Sequence, residues 1–149
     1  MIEFLISHRG NVNGKNESSE NAPDYIDRAI KIGFDVEVDI WFTEAALCLG
    51  HDKPQYAVDM QWLRARKEKL WIHCKNIEAM TFFNSVLIGK YNYFWHQEDD
   101  VTLTSHGYIW AYPGKQPIKN SIAVMPELNN DDTSKCLGIC SDYIINYTI

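Results

Sequence analysis

Alternating strands and helices in the first half of the chain restrict the fold more than any other feature of the sequence. Short apolar stretches predict strands over residues 4–7, 34–41 and 70–74, and amphipathic stretches predict helices over about residues 21–32, 59–67 and 76–87. Strands that are joined through helices run parallel to each other. The first half therefore predicts an α/β fold that is built around a parallel sheet.

The pattern changes after Gly89. Five further strands are predicted, over residues 91–95, 101–104, 108–112, 121–125 and 137–140. The links between them are too short or too polar for full helices. A complete (β/α)8 barrel takes about 250 residues, and this chain has 149. We therefore expect one domain over residues 1–149, a shortened (β/α) TIM-type barrel with several outer helices reduced or missing in its second half. An incomplete barrel or an open sheet is the alternative.

Local signals define several element ends. Asn21 is an acceptable N-cap for the first helix, Gly33 is placed to end it, and Asn76 could cap the third helix. Residues 34–41 alternate with period two, so Glu37 and Asp39 share one face of that strand. Residues 45–49 form a short strand or a hairpin arm.

Composition limits the class of protein. A net charge of −6 argues against nucleic acid as a partner, and no apolar run reaches the ~20 residues of a membrane span. The first residues lack the basic segment of a secretory signal, so we expect a cytoplasmic protein. No CxxC pair is present, and we expect reduced thiols. The cysteines are Cys48, Cys74, Cys136 and Cys140.

Polar clusters follow three of the predicted strands. They comprise residues 7–10, then Glu37 and Asp39 with residues 50–52, and finally residues 73–75. Active sites of parallel α/β folds lie at the carboxyl ends of the strands. We therefore expect these clusters to meet at one edge of the sheet.

The side chains in these clusters are those that phosphodiester cleavage requires. Paired carboxylates bind a hard divalent cation, histidines transfer protons near neutral pH, and cationic side chains bind phosphate oxygens. The carboxylates are Glu37 and Asp39, the histidines are His8 and His51, and the cations are Arg9 and Lys75.

Four motifs in one order resemble the glycerophosphodiester phosphodiesterase family. The sequence reads His8-Arg9-Gly10, Glu20-Asn21-Ala22, Glu37-Val38-Asp39 and His51-Asp52, where the family has HRG, ENT, ExD and HD. The likeness runs over about the first 52 residues. Residues 137–143 also resemble the final strand of the family.

The resemblance implies a role for each matching residue. His8 and His51 are the acid/base pair, Arg9 and Lys75 bind the phosphate, and Glu37 and Asp39 hold the metal. Glu20 lines the pocket, where it orients Arg9 or approaches the metal. On the third strand the family has a glutamate two residues before the lysine, and this chain has His73. An O,O,N ligand set suits Mn²⁺ or Zn²⁺ better than the Mg²⁺ or Ca²⁺ usual in the family.

Three later residues are weaker candidates for the pocket. His96 and Glu127 each follow a predicted strand, and Glu127 could replace the missing carboxylate ligand. Trp110 lies in an aromatic strand similar to the one near the substrate pocket of the family. For His96 and Trp110 a structural role is the alternative.

Together these observations predict a phosphoric diester hydrolase that uses one divalent cation and histidine acid/base catalysis. Its substrate is a small-molecule phosphodiester, either glycerophosphodiester-like or an envelope-related sugar- or lipid-linked compound. The alternative is a catalytically inactive module that binds a phosphorylated ligand. A barrel that lacks outer helices exposes apolar strand faces, and a homodimer would cover them.

Overall fold

A computed structural model of the chain describes residues 1–85 and 90–149. These residues form one curled, mixed sheet of ten strands, which makes a half-barrel. The strands are β1 (Phe4–His8), β2 (Asp35–Thr43), β3 (Ala46–Leu49), β4 (Tyr56–Val58), β5 (Leu70–Cys74), β6 (Asn92–Phe94), β7 (Val101–Leu103), β8 (Ile109–Ala111), β9 (Ser121–Val124) and β10 (Gly138–Ser141). The helices are α1 (Pro23–Ile32), α2 (Met60–Arg66) and α3 (Ile77–Phe83), with short 3-10 turns at Lys67–Lys69, Pro126–Leu128 and Ile144–Asn146.

The prediction of a (β/α) TIM-type barrel is wrong. Within residues 1–85 and 90–149 only three short α-helices accompany the ten strands. The links 112–120 and 125–137, which join β8 to β9 and β9 to β10, contain prolines and polar runs instead of an apolar helical stripe. Such links cannot pack an outer helix on the sheet. The curled half-barrel corresponds to the alternative of an incomplete barrel.

Sheet topology brings the predicted clusters together. The neighbours along β6-β5-β2-β1-β10-β9-β8 all pair parallel, while β3, β4 and β7 add antiparallel pairs. The register places His8 beside Glu37, and Asp39 beside His73. Because the strands are parallel, the polar residues at their carboxyl ends share one edge of the half-barrel.

The β2 strand separates two apolar clusters. Val36, Val38 and Ile40 are fully buried against the helices, in a cluster that includes Ile26 and Leu63. The other face of the sheet is filled below the polar edge by a second, aromatic-rich cluster. Its buried members are Ile6, Trp71, Phe94, Trp110, Ile122, Val124 and Cys140. Both faces of β2 are therefore buried, including the face that carries Glu37 and Asp39.

Local signals for the helices were partly correct. Asn76 caps α3 by accepting a hydrogen bond from the Ala79 N–H at 3.1 Å, and Gly33 ends α1 at φ 120°. The predicted Asn21 cap is wrong, because α1 begins at Pro23 after Ala22, and Asn21 adopts φ 63°. The predicted end of the third helix, at about Leu87, lies outside the described residues.

No helix in residues 1–85 and 90–149 is long and apolar enough to cross a membrane. All four cysteines are free thiols, and three of them are buried. Burial raises the pKa of Cys74 to about 12. A thiol in that state is a poor nucleophile, so Cys74 serves the packing of β5.

Close packing around Gly138 yields a first prediction. A Cβ atom added here would lie 2.8 Å from both Phe4 Cβ and Ile122 Cδ1 on the neighbouring strands. We expect Gly138→Ala to lower the free energy of unfolding by about 1–3 kcal/mol through overpacking, as measured by urea denaturation. Ile122→Val removes the Cδ1 atom, so the double variant should lose less than the sum of the single losses. Additive losses would contradict this account.

Candidate active site

A cavity of about 500 Å³ opens at the carboxyl ends of the parallel strands. Its volume is within the range of pockets that bind small molecules. Eight of the residues predicted from the sequence line it: His8, Arg9, Glu37, His51, His73, Lys75, His96 and Trp110. The curl of the sheet thus collects side chains from both halves of the chain around one opening.

Glu37, Asp39 and His73 form a group that could hold a metal ion. The Nδ1 atom of His73 lies 3.1 Å from Asp39 Oδ1 and 3.7 Å from Glu37 Oε1. One ligand atom from each residue lies within 4.8 Å of the others. Two oxygens and one imidazole nitrogen therefore converge on a single point.

The state of these side chains fits a bound cation. Within the described residues, Glu37 Oε2 and Asp39 Oδ1 are buried without an aligned hydrogen-bond donor. Burial and the charge of Asp39 raise the pKa of Glu37. His73 Nε2 lies 2.8 Å from the His96 carbonyl oxygen, which can only accept, so Nε2 carries the proton and donates it. In the neutral ring the other nitrogen, Nδ1, therefore turns its lone pair toward the carboxylates. A divalent cation at this point would satisfy all three groups.

Asp39 is held by several further partners. Asn21 donates its side-chain amide to Asp39 Oδ2 at 2.9 Å and accepts the Asp39 N–H at 2.9 Å. Arg9 Nε makes an ion pair with Oδ2 at 3.0 Å, without hydrogen-bond alignment, and Lys75 Nζ lies 3.6 Å from Oδ1. Burial alone would raise the pKa of Asp39, but a hydrogen bond from Nδ1 of the protonated His73 ring and the charges of Arg9 and Lys75 hold that pKa well below its usual range. Asp39 is therefore a carboxylate with a fixed orientation.

His8 is oriented by a carboxylate that sequence reasoning did not assign. Its Nδ1 donates to Asp142 Oδ1 at 2.7 Å, which leaves Nε2 free, 3.9 Å from Glu37 Oε2. Burial opposes a charge on His8, but the bond to Asp142 and the charge of Glu37 outweigh it and raise the pKa of His8. Asn11 donates to Asp142 at 2.9 Å and so helps to fix the carboxylate.

His51 lines the same cavity and is more exposed than His8. It follows β3, and its Nδ1 lies 2.7 Å from Oδ1 of the exposed Asp52. Partial burial and the charge of Arg9 lower the pKa of His51. The two histidines thus line one cavity in different environments.

Glu20 acts on Arg9 and does not join the metal group. Its carboxylate accepts a hydrogen bond from Arg9 Nη1 at 3.2 Å and another from the Asn11 side-chain amide at 2.8 Å. Arg9 itself has φ 56°, and a Cβ at the following Gly10 would lie 2.6 Å from the Tyr25 ring. The turn that aims Arg9 into the cavity therefore depends on glycine at position 10.

The three weaker candidates have different outcomes. His96 lines the cavity, and its Nε2 donates to the Asp99 carbonyl at 2.6 Å. Trp110 lies against Phe94, with ring centroids 4.7 Å apart, and forms part of the wall. Glu127 is not among the residues lining this cavity, and its carboxylate accepts bonds from the Ser141 and Tyr147 hydroxyls at 2.7 and 3.2 Å.

Sequence reasoning missed Asp142 and the bonds of Asn21 to Asp39. Asp142 directly follows β10, the same position relative to a strand that identified His8 and the other candidates. That signal could have found Asp142. Asn21 belongs to the Glu20-Asn21-Ala22 motif, but the sequence suggested only a helix cap for it, and its contact with Asp39 depends on its left-handed φ of 63°.

The metal group yields a second prediction. We expect Mn²⁺ to raise the thermal unfolding midpoint, because a cation that binds only the folded state stabilises it. Asp39→Asn should abolish this effect, and Mn²⁺ electron paramagnetic resonance should report the lost binding directly. Asp35→Asn, on the same strand but paired with Lys69 and Trp71, is the control and should keep the effect. Equal responses in the two variants would contradict the assignment.

Comparisons of the chain with protein-family models, with curated proteins and with solved structures gave no match. We therefore infer the function from the geometry of the cavity. The resemblance of the four motifs adds to it as an expectation.

Proposed function

We propose that the chain is a phosphoric diester hydrolase that uses one divalent cation. The observation that carries the proposal is a single cavity lined by His8, His51, Arg9 and Lys75 and by two members of the metal group, Glu37 and His73, with the third member, Asp39, buried beside them. A phosphodiester carries one negative charge, and more charge builds on its oxygens during cleavage. The cavity supplies positive charge within a chain whose net charge is −6.

The chemistry divides among the side chains of the cavity. A divalent cation held by Glu37, Asp39 and His73 would polarise a phosphoryl oxygen as a Lewis acid. Arg9 and Lys75 would bind the remaining phosphate oxygens and neutralise the developing charge.

Proton transfer completes the proposed reaction. One of His8 and His51 takes the proton of the attacking water or substrate hydroxyl, and the other returns a proton to the leaving alkoxide. As the new P–O bond forms, the bond to the leaving group breaks.

His73 bears on the identity of the cation. An imidazole ligand suits Mn²⁺ or Zn²⁺, whereas Mg²⁺ and Ca²⁺ prefer oxygen alone. The motif resemblance to glycerophosphodiester phosphodiesterases supports the proposal, because the same motifs supply the histidines, Arg9 and both carboxylates. We infer Mn²⁺ or Zn²⁺ as the preferred ion.

A third prediction tests the activity. The protein should hydrolyse bis(p-nitrophenyl) phosphate in the presence of Mn²⁺ or Zn²⁺, with less turnover in Mg²⁺ or Ca²⁺. His8→Ala and Glu37→Gln should each lower turnover by at least about 10²-fold. His106→Ala is the matched control, because His106 is exposed and lies outside the lining of the cavity. Binding of inorganic phosphate without turnover in any ion would instead identify a phosphate-ligand-binding module.

A fourth prediction compares the carboxylate partners of the two histidines. Both contacts measure 2.7 Å, but Asp142 is buried, whereas the side chain of Asp52 is 91% exposed. Asp142→Asn should lower turnover by about 10²-fold or more, because His8 loses the partner that fixes its tautomer. Asp52→Asn should change turnover little, since exposed pairs are weak. Similar losses in both variants would contradict this difference.

A further inference from the structure

The cavity has a charged side and an apolar side, and each comes from a different part of the fold. His8, Arg9, Glu37 and the other charged groups lie on strands β1, β2 and β5 or directly after β1, β3 and β5. The apolar wall comes from strands β8 and β9 and from the links after them, which contain no α-helix in the described residues. Its members are Trp110, Tyr112, Pro113, Val124, Met125 and Leu128.

Two residues of this wall expose apolar surface at the rim. Leu128 is 64% exposed and Tyr112 is 44% exposed, although both line the cavity. The Leu128 side chain and the ring of Tyr112 make no hydrogen bond to phosphate oxygens or to water. Covering this apolar surface with an apolar group of a ligand lowers the free energy of the complex.

A second cavity lies on the other side of Arg9 and His51, which line both openings. Its volume is about 420 Å³. The remaining lining residues are all polar or charged: Lys15, Glu17, Glu20, Asn21, Asp52 and Gln55. A phosphate held at Arg9 and His51 would therefore have an apolar wall on one side and a polar wall on the other.

We infer that the substrate is an unsymmetrical phosphodiester, with an apolar substituent against Tyr112 and Leu128 and a polar substituent in the second cavity. The inference rests on the proposed function, because it assumes that the phosphate lies between the two cavities. It narrows the substrate class from phosphodiesters in general to those in which one ester group is apolar.

The test holds the polar substituent constant and varies the other. Glyceryl benzyl phosphate and glyceryl methyl phosphate are compared, with loss of the diester followed by phosphorus NMR in the preferred metal. We expect kcat/KM to be about tenfold higher for the benzyl diester, the gain from one apolar group in a matching pocket. The Tyr112→Ser/Leu128→Ser double variant should lose this preference.

Leu103→Ser is the matched control, because Leu103 is also 64% exposed but lies outside the lining of both cavities. It should keep the preference for the benzyl diester. Equal kcat/KM for the two diesters in the wild-type protein would overturn the inference and leave the proposed hydrolase intact.

Calorimetric binding of the same two diesters separates failure of the inference from failure of the proposed function. If neither diester turns over, tighter binding of the benzyl compound, lost in the double variant, still supports the inference. Equal binding, or no binding, in that case overturns it.

Discussion

Burial of two carboxylates on one strand is the constraint on which the rest of the site depends. Glu37 and Asp39 are 2% and 0% exposed, and they share a face of β2. Two such charges out of water repel each other unless positive charge or hydrogen-bond donors surround them. Arg9 and Lys75 supply that charge from the residues that directly follow β1 and β5. The parallel register of these strands is therefore an electrostatic requirement as well as a packing arrangement.

The described links after β8 and β9 contain no outer α-helix, and this affects the lining of the cavity. The helices pack on the part of the sheet around β2 and bury an apolar cluster there, and the charged side chains of the cavity lie on or directly after the strands of this part. Where links without an α-helix replace the helices, side chains such as Tyr112 and Leu128 turn toward the cavity. One sheet thereby presents opposite chemistry on two sides of a single opening. The contrast follows from the same change in sequence pattern that occurs near residue 89.

The sequence predicted strands better than architecture. Nine of the ten strands in residues 1–85 and 90–149 correspond to predicted strands, because apolar runs and period-two alternation are local signals. The β4 strand was missed, since Tyr56–Val58 is too short to show either signal. The barrel prediction failed because closure and helix packing depend on long-range contacts. Most of the cavity lining was predictable from residues at strand ends. The Asp142–His8 contact joins residues 134 positions apart, and spacing alone could not reveal it.

The surroundings of His73 require a hydrogen-bond donor and an aromatic ring, and a carboxylate side chain provides neither. Its Nε2 donates to the His96 carbonyl, and its ring stacks on Phe94 at 5.1 Å between centroids. A glutamate at position 73 would set an acceptor against that carbonyl and lose the stacking. The imidazole is instead oriented by these two contacts, so that its Nδ1 faces Glu37 and Asp39. The hydrogen bond to the His96 carbonyl and the stacking on Phe94 of β6 therefore determine which ring nitrogen His73 presents to the two carboxylates.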